Sequence, residues 1–236
     1  MPFPTDPFEQ LHYNMVRAHQ TFKLGYSSII KNLDDPKATT EDLSNFLGYC
    51  QAWVTSIAHH HDSEVEPMLN WKYRLFMNLI QEEVVFPVLN QKMDFAPEKE
   101  AHEAIHKNLD DLEAVLLEAK ADTTKFNATQ IKEQLEQMKE TLFSHLDEEV
   151  EHIKSEELKK AGFNETELKE LNQNLEKYAK SQGDPFLLVP FMRAHTAPEF
   201  KDFWPPMPWV LRKLVIPYVL AKRYSGYWKY APYSVS

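Results

Sequence analysis

A single cysteine, Cys50, stands in this chain of 236 residues. It excludes an internal disulfide framework and fits a reducing compartment. Glycine is nearly as scarce, with five in all, and alternating β-branched runs are few, which argues against a sheet-rich fold. Positive charge is in deficit. The net charge of −10 makes nucleic acid an unfavourable general partner. Long apolar runs are missing too: the longest, Trp209 to Ala221, is broken by Arg212, Lys213 and Pro217 and is too short to span a bilayer. The amino-terminal Met-Pro-Phe-Pro-Thr-Asp-Pro has no basic start and no apolar run, so no signal peptide is expected. These absences together predict a cytoplasmic protein without a transmembrane segment.

What is present is helical periodicity. Hydrophobic residues make up 43% and charged residues 26%, ordinary for a globular chain long enough for one core or a core with an appendage. Asp6-Pro7 reads as an N-cap with proline at the first helical position. Phe8, Leu11, Met15, His19, Phe22, Tyr26, Ile29 and Leu33 then form one stripe at three- and four-residue steps. Thr39 or Thr40 can cap a second helix, whose stripe runs from Leu43 through Trp53 and Ile57 to His60 or His61 and then Glu64. Pro67 should break or kink it. A third helix opens at Pro97 and faces inward with His102, Ile105, His106, Leu109, Leu112 and Leu116. Asn127, with Gln130 placed as in a capping box, starts a fourth that carries Ile131, Leu135, Met138, Leu142, His145, Glu149 and His152.

Four amphipathic helices with short connections predict an all-α, antiparallel four-helix bundle. A fifth helix is expected from about Asn164, completing a region over 1–180. After Gly183-Asp184-Pro185 the chain turns aromatic and proline-rich, and Trp204-Pro205-Pro206-Met207-Pro208-Trp209 cannot be regular helix. Residues 181–236 are therefore expected to be an irregular tail packed on the bundle by its aromatics. Its basic character also admits a weak anchor for an acidic partner or a membrane surface.

Each of the four helices sets histidine into its apolar face. Residues four apart on a helix differ by about 40° in direction and about 6 Å in height. His60 with Glu64, His102 with His106, and His145 with Glu149 are each such pairs, and His19 faces them. Buried without partners, five imidazoles and two carboxylates would each cost several kcal/mol in desolvation. Cations between the helices remove that penalty. Imidazole and carboxylate suit iron, manganese or zinc, and seven ligands exceed what one ion needs. The histidines outside this set have ordinary readings. His59 faces solvent, His61 competes with His60, His12 and His152 are candidates for outer hydrogen-bond partners, and His195 is structural. Cys50, Trp53 and Phe22 read as core.

This constellation resembles the hemerythrin family, in the form called the HHE cation-binding domain. The resemblance rests on His19 in Val-Arg-Ala-His-Gln, His60 and Glu64 in His-His-Asp-Ser-Glu, and His102 and His106 in Ala-His-Glu-Ala-Ile-His-Lys. His145 and Glu149 in His-Leu-Asp-Glu-Glu, and a Phe86-Pro87 turn, complete it. It covers roughly residues 8–155, and the aromatic tail looks like that of hemerythrin-like proteins found in fungi and some bacteria. The resemblance implies two non-haem iron ions with a bridging oxygen. One iron would take His102, His106 and His145. The other would take His19 and His60, with Glu64 and Glu149 bridging, and would keep an open position for dioxygen, peroxide or nitric oxide.

In one place the chain departs from the family pattern. Residues 65–81 separate Glu64 from the Phe-Pro turn, and joining Glu64 to Glu82 restores the family spacing. Val65 has codons beginning GT and Gln81 can be CAG, the boundary letters of an intron. Two readings stand: a translated intron, or a real insertion in which Trp71, Leu75 and Phe76 form an extra amphipathic turn. A ferritin-like carboxylate oxidase fits less well, because the first helix offers histidine instead of glutamate on its inward face. For function, the ligands admit binding or sensing of a small ligand, iron buffering or peroxide handling, and an interaction module with a degraded site. They leave open whether the protein is an enzyme.

Overall fold

The computed structural model describes residues 2–62, 85–181 and 183–236. Glu64, Pro67 and the Val65–Gln81 segment lie outside them. Among the described residues there is no strand, and helices dominate. None of these helices is long and apolar enough to cross a membrane.

Helix α1 spans Pro7–Leu33, and the Asp6 carboxylate accepts the hydrogen bond from Phe8 N–H at 3.0 Å. Helix α2 spans Leu43–Asp62. It starts later than a Thr39 or Thr40 cap predicts, because those hydroxyls bond back to the carbonyls of Asp35 and Pro36. A π-helical turn over Lys37–Glu41 uses these bonds, and the Asp42 carbonyl accepts the first α2 amides, from Asn45 and Phe46. A short turn of helix, α3, covers Phe86–Leu89. Helix α4 spans Ala96–Ala121. Helix α5 spans Ala128–His152, and Asn127 Oδ1 accepts from Gln130 N–H at 3.1 Å. The short α6 spans Ser155–Lys160 and α7 spans Glu165–Ser181. At the start of α7, Asn164 Oδ1 accepts from Thr166 and Glu167 N–H while Glu167 reaches back to Asn164 N–H, a reciprocal capping box.

The four long helices form a closed cycle of neighbours, α1 with α2, α2 with α4, α4 with α5 and α5 with α1. Close approach is needed where α1 meets α2. A Cβ on Gly25 would overlap the indole of Trp53, which is buried with its N–H on the Phe22 carbonyl at 2.8 Å.

The apolar interior divides into two. The larger core takes Phe22, Tyr26 and Ile29 of α1, Phe46 to Ile57 of α2, Ile105 to Leu116 of α4 and Ile131 to Leu146 of α5. The smaller takes Phe8, Leu11 and Met15, then Phe86, Phe95, Ile153 and side chains of α6 and α7. His19 falls at the division on α1, and His145 and Glu149 fall at it on α5. A polar layer thus crosses the interior between two apolar masses.

The tail is more ordered than an irregular segment. Pro185–Ala194 is helix α8, capped by the Asp184 carboxylate on Phe186 N–H at 2.9 Å, with Pro190 inside it. Beyond it come short turns, among them Leu211–Val215 and Ile216–Tyr218. Aromatics of the tail pack into the larger core. Trp228 and Tyr230 are buried in the larger core, and the Tyr230 hydroxyl donates to the Asp42 carboxylate at 2.6 Å.

Candidate metal centre

Among the described residues, two groups of ligand-type side chains come together in the polar layer. One is His61, His102 and His145; the other is His19, His60 and Glu149. Within each group the ligand atoms lie within 4.8 Å of one another.

Helix geometry brings them there. Consecutive residues on a helix point about 100° apart, so His60 and His61 at the end of α2 address different neighbours. His60 meets α1, with its Nε2 2.9 Å from His19 Nε2. His61 meets α4, its ring stacked on that of His102 with centroids 4.4 Å apart. Across the layer, His102 Nε2 and His145 Nε2 are 2.7 Å apart. Glu149, one turn after His145 on α5, joins the two groups. Its Oε2 lies 3.3 Å from His19 Nε2 and 3.9 Å from His145 Nε2.

These distances fit cation ligands. Two nitrogens at right angles around one ion, each about 2.1 Å from it, stand about 3.0 Å apart, close to both Nε2–Nε2 separations. His19 Nδ1–H donates to the Leu146 carbonyl at 2.7 Å, which leaves its Nε2 with a bare lone pair facing His60 and Glu149. Among the described residues, both oxygens of the fully buried Glu149 find no hydrogen-bond partner, and neither do the two ring nitrogens of the fully buried His61. Polar groups held this way are destabilising unless a further positive centre completes them.

Burial and mutual proximity set the protonation. Burial, then the neighbouring histidines, push His60 and His61 well below the usual imidazole range. Burial and then His145 bring His102 down to about 2. Burial lowers His145 as well, against the pull of Glu149. Neutral imidazoles at pH 7 are the form that ligates metal. Phenylalanines wall the layer: Phe86 stacks on His102, with rings 13° from parallel, and Phe22 packs on His60 with centroids 5.0 Å apart.

Six of the residues that carry the geometry are His19, His60, His61, His102, His145 and Glu149. Five were candidates from spacing alone. His61 was only a competitor for the place of His60, and the structure uses both. The signal for it was present in the sequence: a layer able to hold two ions would need α2 to face two neighbours, and adjacent residues do so. His106 stands outside both groups, its ring centroid 5.8 Å from that of His61. Glu64 lies beyond the described residues. His152 bonds to buried Glu98 on α4 instead of serving Glu149. His12 is partly buried and Nε2 finds no hydrogen-bond partner among the described residues. His195 is structural. Its Nδ1–H donates to the Phe191 carbonyl at 2.8 Å and its Nε2 accepts from the Tyr49 hydroxyl at 2.7 Å.

No protein-family model, curated protein or solved structure matches the chain.

Proposed function

We propose that this chain is a non-haem di-iron protein of the hemerythrin type, built on an antiparallel four-helix bundle, that binds or senses dioxygen or a related small ligand such as peroxide or nitric oxide. The observation that carries the reading is Glu149. This fully buried carboxylate reaches both histidine groups, and among the described residues neither of its oxygens accepts a hydrogen bond. A bridging carboxylate is the role in which such a residue is satisfied. The motif resemblance supplies the metal and the ligand class.

In this reading one iron takes His61, His102 and His145, with His106 close by as the residue the family pattern names. The other would be held by His19 and His60, with Glu149 shared between the two groups, and the motif resemblance assigns Glu64 to the same role. Iron held there would supply redox chemistry and a Lewis-acidic centre for a small ligand. The chain's own residues do the rest. The Leu146 carbonyl holds His19 in the tautomer that presents Nε2 inward, and burial keeps His60, His61, His102 and His145 neutral. Phe22, Phe86 and the two flanking apolar cores exclude water from the layer.

Absorption spectra of iron-loaded protein under air and under argon test this. A charge-transfer band that appears with oxygen and disappears on its removal is expected. Steady consumption of peroxide over many turnovers would instead make the protein an enzyme and contradict the binding reading.

A further inference from the structure

Among the described residues, six of the seven large apolar side chains most open to solvent gather in one stretch of the tail, Phe203, Trp209, Val210, Leu214, Tyr218 and Val219, the seventh being Leu117 on α4. Trp209 is 60% exposed and Tyr218 67%. They sit on and beside the helical turns over Leu211–Val215 and Ile216–Tyr218. Val210, Leu214 and Tyr218 are four apart and share a face, while Ile216 points the other way into the protein. The segment therefore shows water an apolar face, the reverse of an ordinary surface helix.

Charge says what covers it. The chain carries −10 overall, yet residues 201–236 hold Lys201, Arg212, Lys213, Lys222, Arg223 and Lys229 against Asp202 alone. Lys201 and Lys229 are turned to other work, on the Ser234 carbonyl and Asp42. Lys213, Lys222 and Arg223 are exposed close to these residues in sequence, Lys213 with Asp202 at 3.9 Å and Arg223 with Asp184 at 3.6 Å. A two-fold contact with a second copy would set these cations against their counterparts. A tryptophan and a tyrosine flanking aliphatic residues, rimmed by lysine and arginine, match the interface of an anionic bilayer. There the rings sit at headgroup depth and the cations meet lipid phosphates and carboxylates.

We propose that residues 203–223 form a peripheral docking surface for an anionic lipid bilayer, lying in its interface without crossing it. This rests on the tail alone and is independent of the metal centre. The test is co-sedimentation of the full chain with vesicles of phosphatidylcholine, and with vesicles of phosphatidylcholine and phosphatidylserine in equal parts. Binding to the phosphatidylserine vesicles is expected, with a partition coefficient at least about tenfold above that for phosphatidylcholine and falling as salt is raised. The exposed-face double variant Trp209→Ser with Leu214→Ser should lose about tenfold or more with its melting temperature unchanged. Lys213→Glu with Lys222→Glu should abolish the preference for phosphatidylserine. No binding at low salt, or binding that neither double variant changes, would overturn the proposal. So would concentration-dependent dimerisation that Trp209→Ser abolishes in a chain indifferent to vesicles, or saturable capture of an acidic polypeptide by a chain that ignores them.

Discussion

Glu149 is the residue on which stability and function pull apart. A buried carboxylate with no hydrogen-bond partner among the described residues destabilises a metal-free fold and would be satisfied in a metal-loaded one. Glu149→Gln keeps its shape and removes the charge. The metal-free variant should be more stable than the parent by about 1–3 kcal/mol in urea unfolding, and should bind less iron. A structural glutamate would show the opposite sign, with lower stability and unchanged metal content. His195 makes a second case at this scale. Burial holds its pKa near 4 in the folded chain, below the ordinary 6.5, so the fold favours the neutral ring. Its contribution is complete above about pH 6.5 and is lost as pH falls toward 4, at most about 3 kcal/mol. The slope of unfolding free energy against pH across that window should be shallower in His195→Gln than in the parent, and equal slopes would show that the ring is not held neutral.

Helix elements were legible where local chemistry decides them. Asp6, Asn127 and Asn164 each cap the helix that follows, and the apolar stripes face inward as their spacing predicts. Thr39 and Thr40 failed as caps because their hydroxyls had nearer carbonyls to bond. No local pattern foretells such competition. The helix α8 hid behind its proline: Pro190 sits in its middle, and burial of Phe191 and Ala194 in the protein outweighs the lost hydrogen bond. Likewise the choice between His60 and His61 dissolved only when two neighbouring helices, instead of one inward direction, were in place. Where the tail lies on α2, a Cβ at Gly48 would overlap the Tyr227 ring. Gly48→Ala should therefore loosen the tail, by about 1–3 kcal/mol of overpacking. Limited proteolysis should cut first near 224–230 while iron content stays at the parent value. Equal protection of the tail in both proteins would show that this contact does not hold it.

On the scale of the whole molecule, the histidine layer explains why the interior is divided. Two apolar cores, one made largely by the long helices and one by their ends with α6 and α7, enclose a polar plane that neither could tolerate without a cation. A metal bound there would act as a staple across all four long helices, and by linkage an ion present at a hundredfold over its dissociation constant would add about 2.7 kcal/mol. The central claim is that the layer holds two ions, and metal content tests it most directly. Full-length chain loaded with ferrous iron under argon and desalted should carry two irons per chain, and His102→Ala should carry at most one. One iron or none in the parent chain, or two still bound in His102→Ala, would contradict it.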